Sequence, residues 1–157
     1  MRLMGLDYGE KTVGIAVSDE NGSIALPKET VFREEEINLK KTVRRIRELA
    51  QEYDIHTIVL GFPKNMNNTL GERAEKTLAF KRRLERDLYQ IEIVLWDERL
   101  STMGAEIPLL EMGYNRQKRK TVIDQMAAAY ILQGYLDAHS GIPETPVPED
   151  NETNMSL

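Results

Sequence analysis

Cysteine is absent from the 157-residue chain, which excludes disulfides, a thiol nucleophile and thiolate metal sites and fits a reducing compartment. No apolar run approaches the roughly 18 residues that a membrane-spanning helix needs. Residues 1–7 do not make a secretory signal, because their apolar stretch is short and an acid ends it. With neither export nor anchoring signal, a cytoplasmic location and no membrane partner are expected. Internal repeats and low-complexity blocks are also missing. Residues 141–157 hold no Lys or Arg, but Glu144, Glu149, Asp150, Glu152 and three prolines, so a disordered acidic tail is expected there, after a domain over residues 1–140. Without that tail the formal charge of −5 becomes −1, from 22 acids and 21 bases; net charge neither requires nor excludes a nucleic-acid partner. His56 and His139 have no partnered acid or metal-ligand spacing and are expected at the surface.

What is there is an α/β pattern. Residues 2–7 read as a short buried strand ending at Asp7, followed by a turn at Tyr8, Gly9, Glu10 and Lys11. Residues 12–18 alternate, with Val13, Ile15 and Val17 on one face and the small Gly14 and Ala16 on the other. Asn21-Gly22 is a hairpin signal, and a third strand follows over residues 23–32, interrupted by Pro27. A helical period then links Ile37, Val43, Ile46, Leu49 and Ala50, opposite a basic face. Residues 57–61 form an apolar run of the kind buried on both faces of a parallel sheet. A loop over residues 62–71, a charged helix over 72–88 and a strand over 91–96 ending at Asp97 come next. Residues 102–112 read as a helix shortened by Pro108, residues 114–120 as a basic loop, and residues 121–138 as the last and most apolar helix. The order βββαβαβαα predicts one mixed five-stranded sheet, an antiparallel three-strand meander plus parallel strands, with helices on both faces.

Acids stand where such a sheet places its chemistry, outside the carboxyl ends of the strands. Asp7 ends the first strand, Asp97 and Glu98 follow the last, and Asp124 lies in the first turn of the final helix. Carboxylates brought together repel and raise one another's pKa; a hard divalent cation, Mg²⁺ or Mn²⁺, cancels that repulsion. Two such ions about 4 Å apart stabilise both the attacking and the leaving oxygen in phosphodiester cleavage. Each acid also has a plainer reading. Asp7 can start a turn, Asp97 can pair with Arg99, and Asp124, three residues after Thr121, can be a helix-dipole acid. Spacing alone does not bring the acids together in space.

Four segments, in order, carry a resemblance. They are Leu6-Asp7-Tyr8-Gly9-Glu10-Lys11-Thr12-Val13-Gly14-Ile15-Ala16-Val17-Ser18-Asp19, Val59-Leu60-Gly61-Phe62-Pro63-Lys64-Asn65-Met66-Asn67, Trp96-Asp97-Glu98-Arg99-Leu100-Ser101-Thr102, and Arg116-Gln117-Lys118-Arg119-Lys120 running into Val122-Ile123-Asp124-Gln125-Met126-Ala127-Ala128. They span residues 2 to about 137, and together they resemble the YqgF/RuvX family of RuvC-like, RNase H-fold nucleases, described as Holliday-junction-resolvase-like or pre-16S rRNA nucleases. The resemblance implies an RNase H-like fold and a two-metal endonuclease without a covalent enzyme intermediate. Asp7, Asp97 and Asp124 are the implied metal ligands, with Glu98 adjacent and catalytic, and Mg²⁺ or Mn²⁺ the cofactor. The implied substrates are the 5′ end of precursor small-subunit ribosomal RNA or, by fold, branched DNA.

Cations around these motifs are candidates for phosphate contact. Arg116, Lys118, Arg119 and Lys120 put four positive charges in five residues just before the helix of Asp124. Lys64 and Asn65 lie in the loop after a buried strand, Lys11 in the turn after Asp7, and Arg99 beside the paired acids, where it can neutralise phosphate charge. Trp96 and the methionines are expected in the core. Two other classes share some of these features. An actin-like kinase opens with a similar Asp-x-Gly turn but needs two such domains, and a non-catalytic nucleic-acid-binding factor would have no use for grouped acids. The chain would act as a monomer or as a homodimer, the latter suiting a two-fold junction.

Overall fold

The computed structural model describes residues 2–35, 38–63, 71–98 and 116–139, with the backbone alone for 116–120. Strands β1 (Arg2–Tyr8), β2 (Thr12–Ser18) and β3 (Ala25–Phe32) form the antiparallel meander. Helix α1 (Lys40–Glu52), strand β4 (Ile55–Phe62), helix α2 (Glu72–Asp87) and strand β5 (Glu92–Asp97) follow, and helix α3 (Arg116–His139) closes the described chain. The sheet order is β3-β2-β1-β4-β5, with β1–β4 and β4–β5 parallel. This is the expected five-stranded mixed sheet. The helix expected over 102–112 and the tail over 141–157 lie outside the described residues.

Residue size sorts the two faces of the sheet. Met4, Leu6, Val13, Ile15, Val17, Ile58 and Leu60 are buried with Val43, Ile46 and Leu49 of α1 and Phe80 and Leu84 of α2. On the opposite face Gly5, Gly14, Ala16 and Gly61 leave β1, β2 and β4 thin, and α3 lies on it. Ala16 and Val59 pack there with Ala128, Ile131, Leu132 and Leu136. At Gly5 a Cβ would stand 2.7 Å from both the Ala128 carbonyl oxygen and the Leu132 Cβ; at Gly14 it would run into the Asp124 carbonyl. The helix backbone therefore rests on the sheet backbone, which side chains at these positions would forbid. Polar contacts fix its register. The Thr30 hydroxyl donates to the Thr121 carbonyl at 2.7 Å, and Gln133 accepts from the Ala25 N–H and donates to the Ser23 carbonyl, both at 2.9 Å. Trp96 packs on this layer, edge-on to Tyr135 at 5.7 Å, and His56 and His139 are exposed as expected.

One expectation fails. Residues 116–120 continue α3 toward its N-terminus instead of forming a loop. Arg, Gln and Lys are good helix formers with no breaker among them, so a run of cations here extends the helix.

Candidate active site

Asp7 is placed by strand pairing. It lies on the Gly5 face of β1 and pairs in register with Gly14 of β2, the glycine whose missing side chain admits the backbone of Asp124. Two acids 117 positions apart in sequence are thereby brought to one end of the sheet. The third acid arrives from β5. Gly61 faces α3, since a Cβ there would stand 2.5 Å from Ile131 Cδ1, and the same Cβ would lie 3.0 Å from Glu98 Oε2 and 3.1 Å from Glu98 Cγ. Glu98 thus folds over Gly61 on the face that carries Asp7.

Asp97 goes elsewhere. It pairs in register with Phe62, and by alternation it shares the face of Ile93 and Leu95, which pack with α1 and α2. The acids that the fold gathers on the α3 face are Asp7, Glu98 and Asp124. Period-two counting back from Asp97 through Leu95 to Ile93 carries this signal, but only once the face under α3 is known.

The electrostatics agree with this grouping. The Asp7 carboxyl is pushed up from 3.8 to about 7, first by burial and then by the negative charge of Glu98, with a smaller contribution from Asp124; the Arg73 guanidinium acts in the opposite sense. Burial also raises Glu98 above the usual carboxylate range, opposed by Arg73 and reinforced by Asp97. Glu98 Oε2 is buried with no hydrogen-bond partner among the described residues. Desolvated like charges of this kind concentrate at functional sites. Among the described residues no three acids or histidines stand close enough to hold one metal ion as they are.

A cavity of about 350 Å³ opens here, lined by Asp7, Gly9, Glu10, Lys11, Thr12, Arg73 and Asp124. Lys11 therefore lines the cavity with Asp7 and Asp124. Lys64, Asn65 and Arg99 fall outside the described residues, and Arg116, Lys118, Arg119 and Lys120 are placed only as the first turns of α3. Two arginines absent from the expected set serve the turn after Asp7. Arg73 Nη2 donates to the Tyr8 carbonyl at 2.7 Å, and Arg33 Nη2 donates to the Gly9 and Glu10 carbonyls at 2.7 and 2.6 Å. Arg33 also lies 4.8 Å over the Tyr8 ring, which stacks on Phe80 at 4.3 Å. Three successive carbonyls are thus each held by a guanidinium. Neither arginine lies in a recognisable motif, and α2 alone carries several cations, so sequence gives little to single them out.

Comparison with known proteins gives the same frame. Residues 1–138 match the RuvX family, described as Holliday junction resolvase. Proteins of Acetivibrio thermocellus and Bacillus licheniformis, each named "Putative pre-16S rRNA nuclease", are 46% and 52% identical to this chain over 138 residues, 88% of it and 96% and 98% of their own lengths. The structure of Thermus thermophilus RuvC in complex with Holliday junction substrate superposes with a TM-score of 0.55 at 17% identity, covering 90% of this chain and 96% of that one. The fowlpox virus Holliday junction resolvase gives 0.52 at 13% identity, covering 88% and 99%. At such identities these two structures speak for the fold, which is RNase H-like. With a family match across nearly all the described residues and relatives about half identical along almost their whole lengths, the chain belongs to the RuvX family of nucleases.

Proposed function

We propose that this nuclease is a metal-dependent endonuclease for structured nucleic acid, with the 5′ end of precursor 16S ribosomal RNA as its main substrate. The observation that supports it most is the convergence of Asp7, Glu98 and Asp124, from three separate elements, on one face at one end of the sheet. Such a group costs free energy unless a cation answers it. The donor set is all oxygen, which suits Mg²⁺ or Mn²⁺, and Glu98 Oε2, buried with no partner among the described residues, fits a cation ligand. Asp7, Glu98 and Asp124 would hold the metal after side-chain rotation, with Asp97 outside the ligand set. Bound there, the metal would supply an activated water and neutralise charge on the leaving oxygen. The chain's own work is to fix Asp7 through the Tyr8, Gly9 and Glu10 carbonyls and to fix Asp124 through the contact on Gly14. Lys11 and Arg73 offset the acids toward an incoming phosphate.

The substrate assignment follows the names of the relatives. The family description favours a second reading, resolution of four-way DNA junctions. The test is cleavage of precursor 16S RNA beside a four-way DNA junction, with Mg²⁺, with Mn²⁺ and in EDTA, for the wild type and for Asp7→Asn, Glu98→Gln and Asp124→Asn. Metal-dependent cleavage lost in all three variants is expected. Full activity in any of them sinks the ligand assignment, and preference for the junction replaces the first substrate with the second.

A further inference from the structure

A site built from carboxylates has to receive a polyanion, so the cations beside it decide how the phosphate chain is held. Two cations line the cavity with Asp7 and Asp124. Lys11 sits exposed in the turn after β1. Arg73 lines the same cavity from the first turn of α2. It differs from most other cations of α2 in how it is held. Lys76, Lys81 and Arg83 pair with acids one turn away on their own helix, whereas Arg73 makes no ion pair among the described residues. It is anchored by one hydrogen bond from Nη2 to the Tyr8 carbonyl, 2.7 Å long, and the residue is otherwise exposed.

Arg73 also lies where two cavities meet. The second, of about 250 Å³, is lined by Tyr8, Gly9, Glu10, Glu72, Arg73 and Lys76. Gly9, Glu10 and Arg73 belong to both walls. A chain of phosphates leaving the carboxylate cavity on this side passes the guanidinium. An arginine anchored through one nitrogen keeps its remaining donors in a fixed fork and loses little rotamer freedom on binding, and it matches the paired oxygens of a phosphodiester.

We propose that Arg73 is a substrate-binding residue, taking the backbone phosphate next to the one cleaved, with the anchored guanidinium on the shared wall of the two cavities as its seat. This rests on the nuclease reading above and adds a residue to it. Lys11 meets the phosphate chain from the turn after β1.

The test measures binding separately from cleavage. A fluorescent precursor-16S-type RNA stem and a fluorescent four-way DNA junction are titrated with full-length protein in Ca²⁺ buffer over a range of salt, using the wild type, Arg73→Gln, Arg73→Lys and, as a control on the exposed side of α2, Arg82→Gln. Cleavage rates in Mn²⁺ are measured alongside. Arg73→Gln should weaken binding about tenfold, the scale of one charge-assisted hydrogen bond, and lower the slope of log affinity against log salt by about one. Arg73→Lys should keep that slope and recover part of the affinity, and Arg82→Gln should match the wild type. Cleavage by Arg73→Gln should show a raised KM and keep most of kcat. Wild-type affinity and slope in Arg73→Gln with a reduced kcat would overturn the proposal, because Arg73 would then only brace Tyr8. So would a wild type that binds neither nucleic acid. Full cleavage by Asp7→Asn, by contrast, would sink the carboxylate reading while leaving Arg73 to be judged by the binding arm.

Discussion

Replacing Asp7 by Asn should make the protein more stable, and the amount should depend on pH. In the fold the Asp7 carboxyl is raised from 3.8 to about 7 by burial and by Glu98 and Asp124. A raised acid binds its proton more tightly folded than unfolded, so stability falls as pH rises between those two values. The cost is absent below pH about 4, grows through the interval and is complete above about 7. At about 1.4 kcal/mol per tenfold change in proton affinity, the upper bound is about 4 kcal/mol at pH 8. Asp7 keeps some solvent access, and relaxation around the charge takes a further share, so about 1–2 kcal/mol is the expected gain for Asn. For a chain of this size that is roughly 3–8 °C in Tm. The assay is thermal and urea unfolding of both proteins in EDTA at pH 8, 5 and 4. The gap should shrink by more than half at pH 5 and close by pH 4. Mn²⁺ at pH 8 should then stabilise the wild type more than the variant, since only the wild type has the full set of carboxylates. Equal stability at pH 8, or a gap that does not change with pH, would show that the buried Asp7 charge does not destabilise the fold.

Gly14→Ala should cost about 3 kcal/mol or more, because the new methyl runs into the Asp124 carbonyl; calorimetric unfolding within 1 kcal/mol of the wild type, on the same scale, would contradict that contact. Leu132→Ala, at a fully buried position against Gly5, should lose about 2–5 kcal/mol in urea unfolding. Glu29→Gln should cost at most about 1 kcal/mol, since the Arg45 guanidinium holds that carboxyl below its usual range through 2.8 Å contacts at a partly exposed site. That stabilisation is present at neutral pH, is lost as pH falls below the ordinary Glu value of 4.5, and should weaken in high salt. Asp97→Asn should retain most cleavage where Glu98→Gln abolishes it, and equal losses in the two would return Asp97 to the ligand set.

The sheet was legible because its signals are local. Val13, Ile15 and Val17 alternating with Gly14 and Ala16 record one thick and one thin layer, and the apolar run around Val59 marks a central parallel strand. Asp7 and Asp124 were legible as candidates, and the structure brings both to one cavity. The choice between Asp97 and Glu98 was not, because adjacent residues at the end of a strand point to opposite faces, and which face bears the site depends on where α3 lies. The extra helical turn over 116–120 was hidden because a run of cations suits a loop and a solvated helix equally well. Arg33 and Arg73 act on backbone carbonyls of residues far away in sequence, a contact that leaves no pattern in their own neighbourhoods.

Three glycines on the α3 face, Gly5, Gly14 and Gly61, tie these points together. At Gly14 and Gly61 the missing side chain is what leaves room for a site carboxylate or its backbone, and at Gly5 it lets the same helix lie flat on the sheet. Backbone packed on backbone leaves less slack than side-chain packing, because neither partner has rotamers with which to adapt. The position of Asp124 relative to Asp7 is therefore fixed by strand register and helix seating together, through the Asp7–Gly14 pair. Glu98 alone reaches the site on a long side chain over a glycine floor, so it is the acid with freedom to move when a cation arrives. Shortening it by Glu98→Asp should accordingly weaken Mn²⁺ binding, read as the Mn²⁺-induced rise in Tm, while leaving the metal-free Tm close to that of the wild type. A large fall in the metal-free Tm would instead make Glu98 a structural prop of the β4–β5 edge.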